Sequence, residues 1–494
     1  MHEYELIEEY TLEIISRAQS TQRRCKSLLS KHFASKAPIN LTLVLINLCI
    51  LLENACKSIF KSIDWQNKNT KAREGFNVLQ MTDFIVKSIG SHINYIDEAQ
   101  TQKLPWSFIQ PVQKLAKALL PDVQIMLSPQ WEYNYTIITT NLFDIYTNYL
   151  SKFVNYVPGT DLENILAPLG KSFHIIYFPS IERNNILLHC IMGHEIGHLV
   201  SKKYFTDKRN QILLQSIRDK VAAIVEKKIK EMSQTKGFPS LLIPAITQQM
   251  TQSEMERTTK MWEKGLEEIL SDIQGCFLFG PAILFSTLEI ALQDLDGLDK
   301  APDGNNNFYP PWRMRLRIIF QIIKELGLLP LENKFGMEKV VSNVNDRFKL
   351  IENMVSKTPD KEEIQKDEIA KIAYDEIEKD IPVAKQIFKD DLKSLLVTPS
   401  NLYEHLPHLI ERIDFGIPPN AFERSIHERK QSTIAEIMNS AWFHKLAWED
   451  RLLKEGGGFN TEILEKRSRM NRLTLKALEY SDIESDYINE TKTT

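Results

Sequence analysis

Two histidines four residues apart, with a glutamate between them, are the residues of this sequence whose types and spacing most directly suggest chemistry. The segment 190–200 reads CIMGHEIGHLV and contains His194, Glu195 and His198. Residues four apart on a helix share one face, so both imidazoles can bind one cation. Glu195 lies about a hundred degrees round the helix from His194, where a general base acting on a metal-activated water must sit. The pattern predicts a metal site; the alternative is a polar stripe that faces water.

The residues around this motif favour a buried helix. Apolar side chains precede it at 186–188 and 191–192 and follow it at Leu199 and Val200. Placing two histidines and a glutamate among such side chains is costly unless they are paired or bound to a metal. We therefore expect a helix over about 184–204 with the site on its inner face.

A catalytic zinc usually takes three protein ligands and keeps a position for water, so a third ligand must come from elsewhere in the chain. The segment GLEEILSDIQG places Glu268 and Asp272 four apart, just before an apolar run. Glu268 is the predicted ligand, and Asp272 is predicted to accept a hydrogen bond from the other ring nitrogen of a ligand histidine. Glu267 and Glu263 are neighbours that compete with Glu268 for this assignment.

HEIGH followed downstream by E-x-x-S-D-I resembles the gluzincin metallopeptidases, and EEILSDIQG is similar to the thermolysin pattern. The resemblance covers about 174–320. It implies one Zn²⁺ per chain held by His194, His198 and Glu268, with Asp272 behind a ligand. It also implies that Glu195 accepts a proton from the attacking water and passes it to the leaving amine.

A further segment, NFYPPWRMRLRII, resembles another branch of these enzymes. Tyr309-Pro310 precedes Arg315-Leu316 by the spacing of the His-Pro…Arg-Ile segment of the HtpX-like and CAAX prenyl proteases. The resemblance implies that Tyr309 and Arg315 stabilise the oxyanion of the transition state and help to bind substrate. The sequence departs from these families in having tyrosine where histidine is usual and a longer gap between the two zinc-binding motifs. Four C-terminal histidines are alternatives to Tyr309: His405, His408, His427 and His444.

Composition limits the remaining function classes. The chain has 494 residues, a net charge of -4 and no concentrated basic surface, so we expect no nucleic-acid partner. Its five cysteines match no disulfide or zinc-ribbon spacing, and the N-terminus lacks the pattern of a signal peptide. Free thiols in a reducing cytoplasm are expected, with core packing favoured for Cys190 and Cys276 over contact with the metal or with each other.

Two apolar stretches, 37–52 and 273–288, are shorter than the roughly 20 residues that a membrane span needs. Both also contain residues that suit a span poorly, namely asparagines in the first and a Gly-Pro pair in the second. We therefore predict two buried helices and no membrane partner.

The hydrophobic periodicity predicts an α+β protein that is predominantly α-helical. We expect a helical domain over 1–120, a gluzincin-like core with a small β element over 121–330, and a helical domain over 331–494. The core has a helical insertion at about 207–262. Strands are expected within 122–140 and at 172–179, the latter as an edge along which an extended peptide could pair. The segment 415–430 is expected to turn into a helix.

These observations predict a soluble, cytoplasmic zinc metallopeptidase that acts on a peptide or protein substrate. Two alternatives stay open. One is a helical interaction or regulatory protein with a structural metal site and no proteolysis. The other is a metal hydrolase of a non-peptide amide.

Overall fold

The computed structural model describes most of the chain. The described residues are 3–66, 70–153, 156–158, 161–170, 172–205, 209–236, 242–293, 298–300, 308–356, 367–393, 395–425, 428–454 and 461–493. The protein is mostly helical with a few small sheets, which confirms the predicted predominance of α-helix with a small β element.

The chain divides into two compact units, Met1–Asn184 and Asn185–Thr494. This division does not coincide with the boundaries expected near 121 and 331. The N-terminal unit contains α1 Glu3–Leu28, α2 Lys36–Ser62, α3 Thr70–Glu98, α4 Trp106–Leu119, β1 Val123–Gln130, β2 Thr136–Thr140, α5 Leu142–Leu150, α6 Leu162–Leu166 and β3 Ser172–Pro179.

Helix α2 supplies much of the core of the N-terminal unit, where it packs against α1 and α3. Fourteen of its 27 residues are buried, among them Leu41, Leu45, Leu48 and Leu52. Among the described residues it is the one helix long and apolar enough to cross a membrane, although 61% of its most apolar window is buried. The buried core helix of a globular protein can have the same length and apolar composition as a membrane-spanning helix.

The strands of the N-terminal unit form a three-stranded sheet in the order β1-β3-β2. β3 pairs in parallel with β1 and antiparallel with β2, so both of its edges are used. Its near-continuous apolar sequence fits its nearly continuous burial, because successive side chains point to opposite faces of the sheet and both faces are covered. The prediction that 172–179 is an edge for a peptide is therefore wrong.

The C-terminal unit contains the histidine motif. Its elements are α7 Met192–Phe205, α8 Arg209–Lys236, α9 Ile243–Phe279, α10 Pro281–Ala291, α11 Trp312–Glu325, α12 Glu338–Ser356, α13 Glu368–Asp391, α14 Pro399–Asp414, β4 Ala421–Ser425, β5 Glu428–Gln431, α15 Ile434–Lys454 and α16 Thr461–Thr493. A 3₁₀ turn, Ile186–Ile191, leads into α7. The long helix α9 packs against α7, α8, α11 and α13.

A close crossing of α7 and α9 brings the two predicted motifs together. Gly193 and Gly197 precede the two histidines and face Ser271 and Gly275 of α9. A Cβ at Gly197 would lie 2.5 Å from the Cα of Ser271, and one at Gly193 would lie 2.6 Å from the Phe279 ring. Because no side chain fits between these backbones, small residues set the distance at which the two helices present their ligands.

The end of α9 is fixed by the helix that crosses it. Gly280 adopts a φ of 57°, a conformation that L side chains rarely take, and α10 begins at the next residue, Pro281. Asn439 of α15 spans this break. Its side-chain amide donates to the Phe279 carbonyl at 2.7 Å, and its oxygen accepts from the Ala282 amide at 2.9 Å. These two hydrogen bonds therefore connect the break between α9 and α10 to α15.

The segment 415–430 does not turn into a helix as expected. Ala421–Ser425 and Glu428–Gln431 pair antiparallel instead, and the next helix starts only at Ile434. Gly416, with a φ of 75°, lies in the preceding turn. Alternation of Phe422 with charged neighbours is the sequence signal for this hairpin.

Candidate metal centre

The histidine motif lies on the inner face of α7 and is buried. His194 is 5% exposed, Glu195 4% and the Glu268 residue of α9 7%. A polar stripe on a helix that faces water would leave these side chains exposed. The alternative of a solvated stripe is therefore wrong, and the groups must be stabilised by each other or by a cation.

Three potential ligand groups converge at one point between α7 and α9. The Nε2 atoms of His194 and His198 are 3.1 Å apart. One carboxylate oxygen of Glu268 lies 3.3 Å from the first of these nitrogens, and the other lies 3.5 Å from the second. A tetrahedral zinc with bonds of about 2.0–2.1 Å holds its ligand atoms about 3.3 Å apart. These residues therefore fit a small divalent cation.

The hydrogen bond on the far side of His194 sets its tautomer. Its Nδ1 lies 2.8 Å from a carboxylate oxygen of Asp272, which is 1% exposed. In the neutral ring the proton belongs on Nδ1, because the carboxylate can only accept. The lone pair of Nε2 then points at His198 and Glu268. Asp272 thus lies where the sequence places it, behind a candidate ligand.

The charges of the site favour a cation. Burial alone would lower the pKa of His194, but the carboxylates of Asp272 and Glu268 raise it to about 10. Burial would raise the pKa of Glu268, yet Arg315 and the two histidines hold it well below its usual range. Without a metal, the same carboxylates stabilise a proton on His194 instead.

Arg315 reaches the site from α11 and contacts both acidic residues. Its Nε and Nη2 donate to the two oxygens of Asp272, each at 2.8 Å, and its Nη1 lies 3.0 Å from Glu268. Trp312 stacks on its guanidinium, with 4.5 Å between the guanidinium carbon and the ring centroid. In this arrangement Arg315 orients the two carboxylates.

Glu195 lies beside the converging ligands. The ligand atoms of His194, Glu195 and His198 all fall within 4.8 Å of one another. Burial raises the pKa of the Glu195 carboxyl, against the lowering effect of the two histidines. Desolvation thus gives this carboxylate a higher proton affinity than an exposed glutamate has, which suits a proton acceptor.

Tyr309 lies at the outer side of the site and is 58% exposed. Burial, followed by the nearby charges of Glu268 and Glu195, raises the pKa of its hydroxyl, so it stays protonated and can donate a hydrogen bond. The segment that carries it passes α9 at Gly265, where an added Cβ would lie 3.6 Å from Pro310 and 2.7 Å from Ile377. Gly265 thereby allows the close approach of Ile377 to α9, and Pro310 packs beside it at an ordinary contact distance.

Glu267 and Glu263 separate clearly from Glu268. Glu263 is exposed. A carboxylate oxygen of Glu267 lies 3.4 Å from Nδ1 of His198, on the opposite edge of the ring from Glu268. Burial would raise the pKa of Glu267, but His198 and Lys264 lower it to about 2. The sequence drew attention to Glu267 because it is adjacent to Glu268. Its contact with His198 could not be predicted, because that contact depends on how α7 and α9 pack.

The C-terminal histidines have other contacts. His405 is fully buried against Glu436, and His444 lies 2.9 Å from Asp414. His408 is exposed, and His427 lies outside the described residues. None of the three described histidines has a contact with the residues of the metal centre.

Cys190 and Cys276 are fully buried free thiols. Burial raises the pKa of both thiols well above the usual value, so neither is a thiolate at neutral pH. This agrees with core packing.

Comparison of the chain with protein-family models, with curated proteins and with solved structures found no match. What the site can do chemically is therefore inferred from its geometry alone. That geometry offers two imidazoles and a carboxylate to one cation, with a second carboxylate and a phenol beside them. Such a set can activate a water and stabilise the charge that develops when it attacks.

Proposed function

We propose that this protein is a metal-dependent hydrolase of gluzincin type that cleaves peptide bonds. One observation carries the proposal. The Nε2 atoms of two buried histidines lie 3.1 Å apart with Glu268 within 3.5 Å of both. Two facing lone pairs and a carboxylate are unfavourable together unless a proton or a metal cation lies among them, and three converging ligand groups suit a metal.

Zn²⁺ is the metal that this ligand set suits best. Two imidazoles and one carboxylate form a catalytic zinc set that leaves a position for water. Bound there by His194, His198 and Glu268, the ion would supply an acidified water and a Lewis acid. Asp272 fixes the orientation of the first imidazole, and Arg315 holds Asp272 in place.

Glu195 acts as the general base in this proposal. It takes a proton from the attacking water and donates it to the nitrogen of the leaving amine. Its burial favours this exchange, because desolvation raises the proton affinity of the carboxylate.

Tyr309 is the proposed donor to the oxyanion. Its hydroxyl is protonated and close enough to Glu195 and Glu268 to feel their charges. A donor aimed at the developing charge contributes about 10²–10³-fold in rate. The contacts of Arg315 with Asp272 and Glu268 support a role in orienting carboxylates more than a direct role on the oxyanion.

Two other functions use the same residues. A structural metal site in an interaction protein has no need of a buried base beside the metal, so Glu195 counts against it. Hydrolysis of a non-peptide amide would use the same groups. Only a substrate test separates that function from peptidase activity.

The test compares wild type with Glu195→Gln on a fluorogenic peptide library, with zinc content measured on both proteins. We expect cleavage by wild type, a loss of about 10²–10⁴-fold in the variant, and the same zinc content in both. Glu263→Gln makes the same change on an exposed residue and should be fully active. Cleavage by Glu195→Gln at the wild-type rate would refute the mechanism. Zinc in both proteins without cleavage of any peptide would favour a structural site or another amide.

A further inference from the structure

A second carboxylate contacts the candidate metal ligand His198 on the side away from the metal. We propose that Glu267 is a positioning residue for His198, as Asp272 is for His194, and that Lys264 fixes the Glu267 carboxylate. The inference rests on the proposed metal site and adds a residue that the gluzincin resemblance does not assign.

The two nitrogens of the His198 ring face two consecutive glutamates. Nε2 lies 3.5 Å from Glu268 and Nδ1 lies 3.4 Å from Glu267. Consecutive residues on a helix point about a hundred degrees apart, so adjacent carboxylates of α9 can contact opposite edges of one imidazole. With a proton on Nδ1, the lone pair of Nε2 points at the metal position, as it does in His194.

Lys264 holds the other oxygen of Glu267. Its Nζ lies 2.8 Å from Oε2 of Glu267, three residues further along α9. This contact leaves Oε1 directed at His198. The series of contacts Lys264–Glu267–His198 thus repeats the series Arg315–Asp272–His194. In each, a basic side chain holds the carboxylate that orients a candidate ligand histidine.

The two arrangements differ in exposure. The side chain of Asp272 is 1% exposed and that of Arg315 8%, whereas Glu267 is 19% exposed and Lys264 61%. Solvent therefore screens the ion pair between Lys264 and Glu267 more than the buried ion pair between Arg315 and Asp272. His198 is accordingly the ligand whose orientation changes more easily.

A carboxylate behind a ligand histidine fixes the ring and raises its basicity, and losing one costs about 10–100-fold in metal affinity. We expect that loss in Glu267→Ala. Glu267→Asp keeps the charge but shortens the side chain by one methylene, which withdraws the carboxylate from Nδ1, so it should lose affinity too. Glu267→Gln keeps an acceptor at the same length and should lose less than either.

The experiment measures Zn²⁺ affinity by chelator competition on the full chain, with Glu263→Ala as the matched control on the exposed face of α9. Visible absorption of the Co²⁺-loaded proteins reports whether the ligand geometry has changed. We expect an altered spectrum for Glu267→Ala and Glu267→Asp and a wild-type spectrum for Glu267→Gln and Glu263→Ala. If Glu267→Ala does not fold, the comparison of Glu267→Asp with Glu267→Gln gives the same answer.

Two outcomes would overturn the inference while leaving the metal site intact. One is an affinity of Glu267→Ala or Glu267→Asp within twofold of Glu263→Ala. The other is a loss in Glu267→Gln as large as in Glu267→Asp, which would show that no hydrogen bond from His198 is involved. A wild-type protein that binds neither Zn²⁺ nor Co²⁺ would instead refute the metal site itself, and the inference with it.

Discussion

Two buried histidines of the C-terminal unit each lie beside a buried carboxylate, yet their surroundings differ. His194 contacts Asp272, and His405 contacts Glu436. Both rings are removed from water, at 5% and 0% exposure. By burial and by contact with a carboxylate, the two histidines are alike.

The carboxylate beside His405 has a structural role. Glu436 accepts hydrogen bonds from the amide and the hydroxyl of Thr433, at 2.8 and 3.1 Å, and its own amide lies 3.2 Å from that hydroxyl. This is a capping box at the start of α15. The His405 ring stacks on Phe422 with centroids 3.9 Å apart. His405 therefore completes a cap and a core contact.

At His194 the free ring nitrogen meets further ligands. In the described part of the chain, the group formed with Glu195 and His198 is the one set of three or more close metal-binding side chains. A carboxylate beside a buried histidine thus does not by itself make a metal site. We expect a metal site where several lone pairs converge on one point, because a bound cation relieves their repulsion.

The largest expected difference between the two histidines is in bound metal. Glu268→Ala removes one of three ligands, so zinc should fall from about one ion per chain to almost none. His405→Gln should keep its zinc but unfold about 1–3 kcal/mol more easily, because Glu436 loses a buried partner. Elemental mass spectrometry and urea unfolding measure the two effects. Retention of zinc by Glu268→Ala, or its loss in His405→Gln, would break the comparison.

The next effect concerns the buried charges around His194. Arg315→Met leaves the carboxylates of Asp272 and Glu268 buried without their guanidinium, which should lower the free energy of unfolding by about 3–5 kcal/mol. Arg317, two residues along the same helix, pairs with Glu378 at the surface. Arg317→Met should cost less than about 1 kcal/mol. Urea unfolding with a chelator present compares them, and equal costs would contradict the prediction.

The close crossing of α7 and α9, which brings the candidate ligands together, should tolerate no added side chain. Gly197→Ala forces a methyl group against the Ser271 backbone and should cost about 1–3 kcal/mol, with weaker zinc binding because α7 shifts. Gly90 of α3 has no heavy atom within 4 Å of the added Cβ. Gly90→Ala should be neutral or stabilising by up to about 1 kcal/mol. Thermal unfolding checks both, and an unchanged Gly197→Ala would show that α7 can move freely.

The smallest effect is the pH dependence of the site. Burial would lower the pKa of His194, but Asp272 and Glu268 raise it from 6.5 to about 10, so the metal-free protein holds a proton there at neutral pH. This proton stabilises the metal-free fold fully below about pH 6.5, and that stabilisation is lost as the pH rises through about 10. Zinc must displace the proton, so affinity should rise about tenfold per pH unit near neutrality.

Calorimetry of zinc binding in two buffers with different ionisation enthalpies counts the protons released. We expect about one proton from His194 at pH 7, and less release in Asp272→Asn, where the raised pKa is partly removed. Zinc binding at pH 7 with no proton release would contradict the assignment of the proton to His194.

Several features of the site could be predicted from sequence because they depend on local geometry. The spacing of His194 and His198 places both on one face of any helix, and that of Glu268 and Asp272 does the same. The apolar residues around each pair indicated burial, and both helices are buried at these positions. The dominance of α-helix followed from hydrophobic periodicity in the same way.

Other features depend on partners that are distant in sequence. The spacing of Tyr309 and Arg315 gave no sign that Arg315 pairs with Asp272 and Glu268. Nor could the apolar run at 172–179 show whether β3 is central or at an edge, since that depends on which strands pair with it. The hairpin at 421–431 was missed because two short charged strands carry a weak periodic signal.

The sequence by itself determined which groups share a helix face, because side-chain direction along a helix follows from the backbone repeat alone. It thereby placed two imidazoles on one helix and two carboxylates on another. Only the tertiary structure decided that these helices cross at Gly197 and Ser271, that Arg315 holds Asp272, and that Glu267 contacts the outer nitrogen of His198. Those contacts join residues tens of positions apart, and packing rather than local geometry selects them.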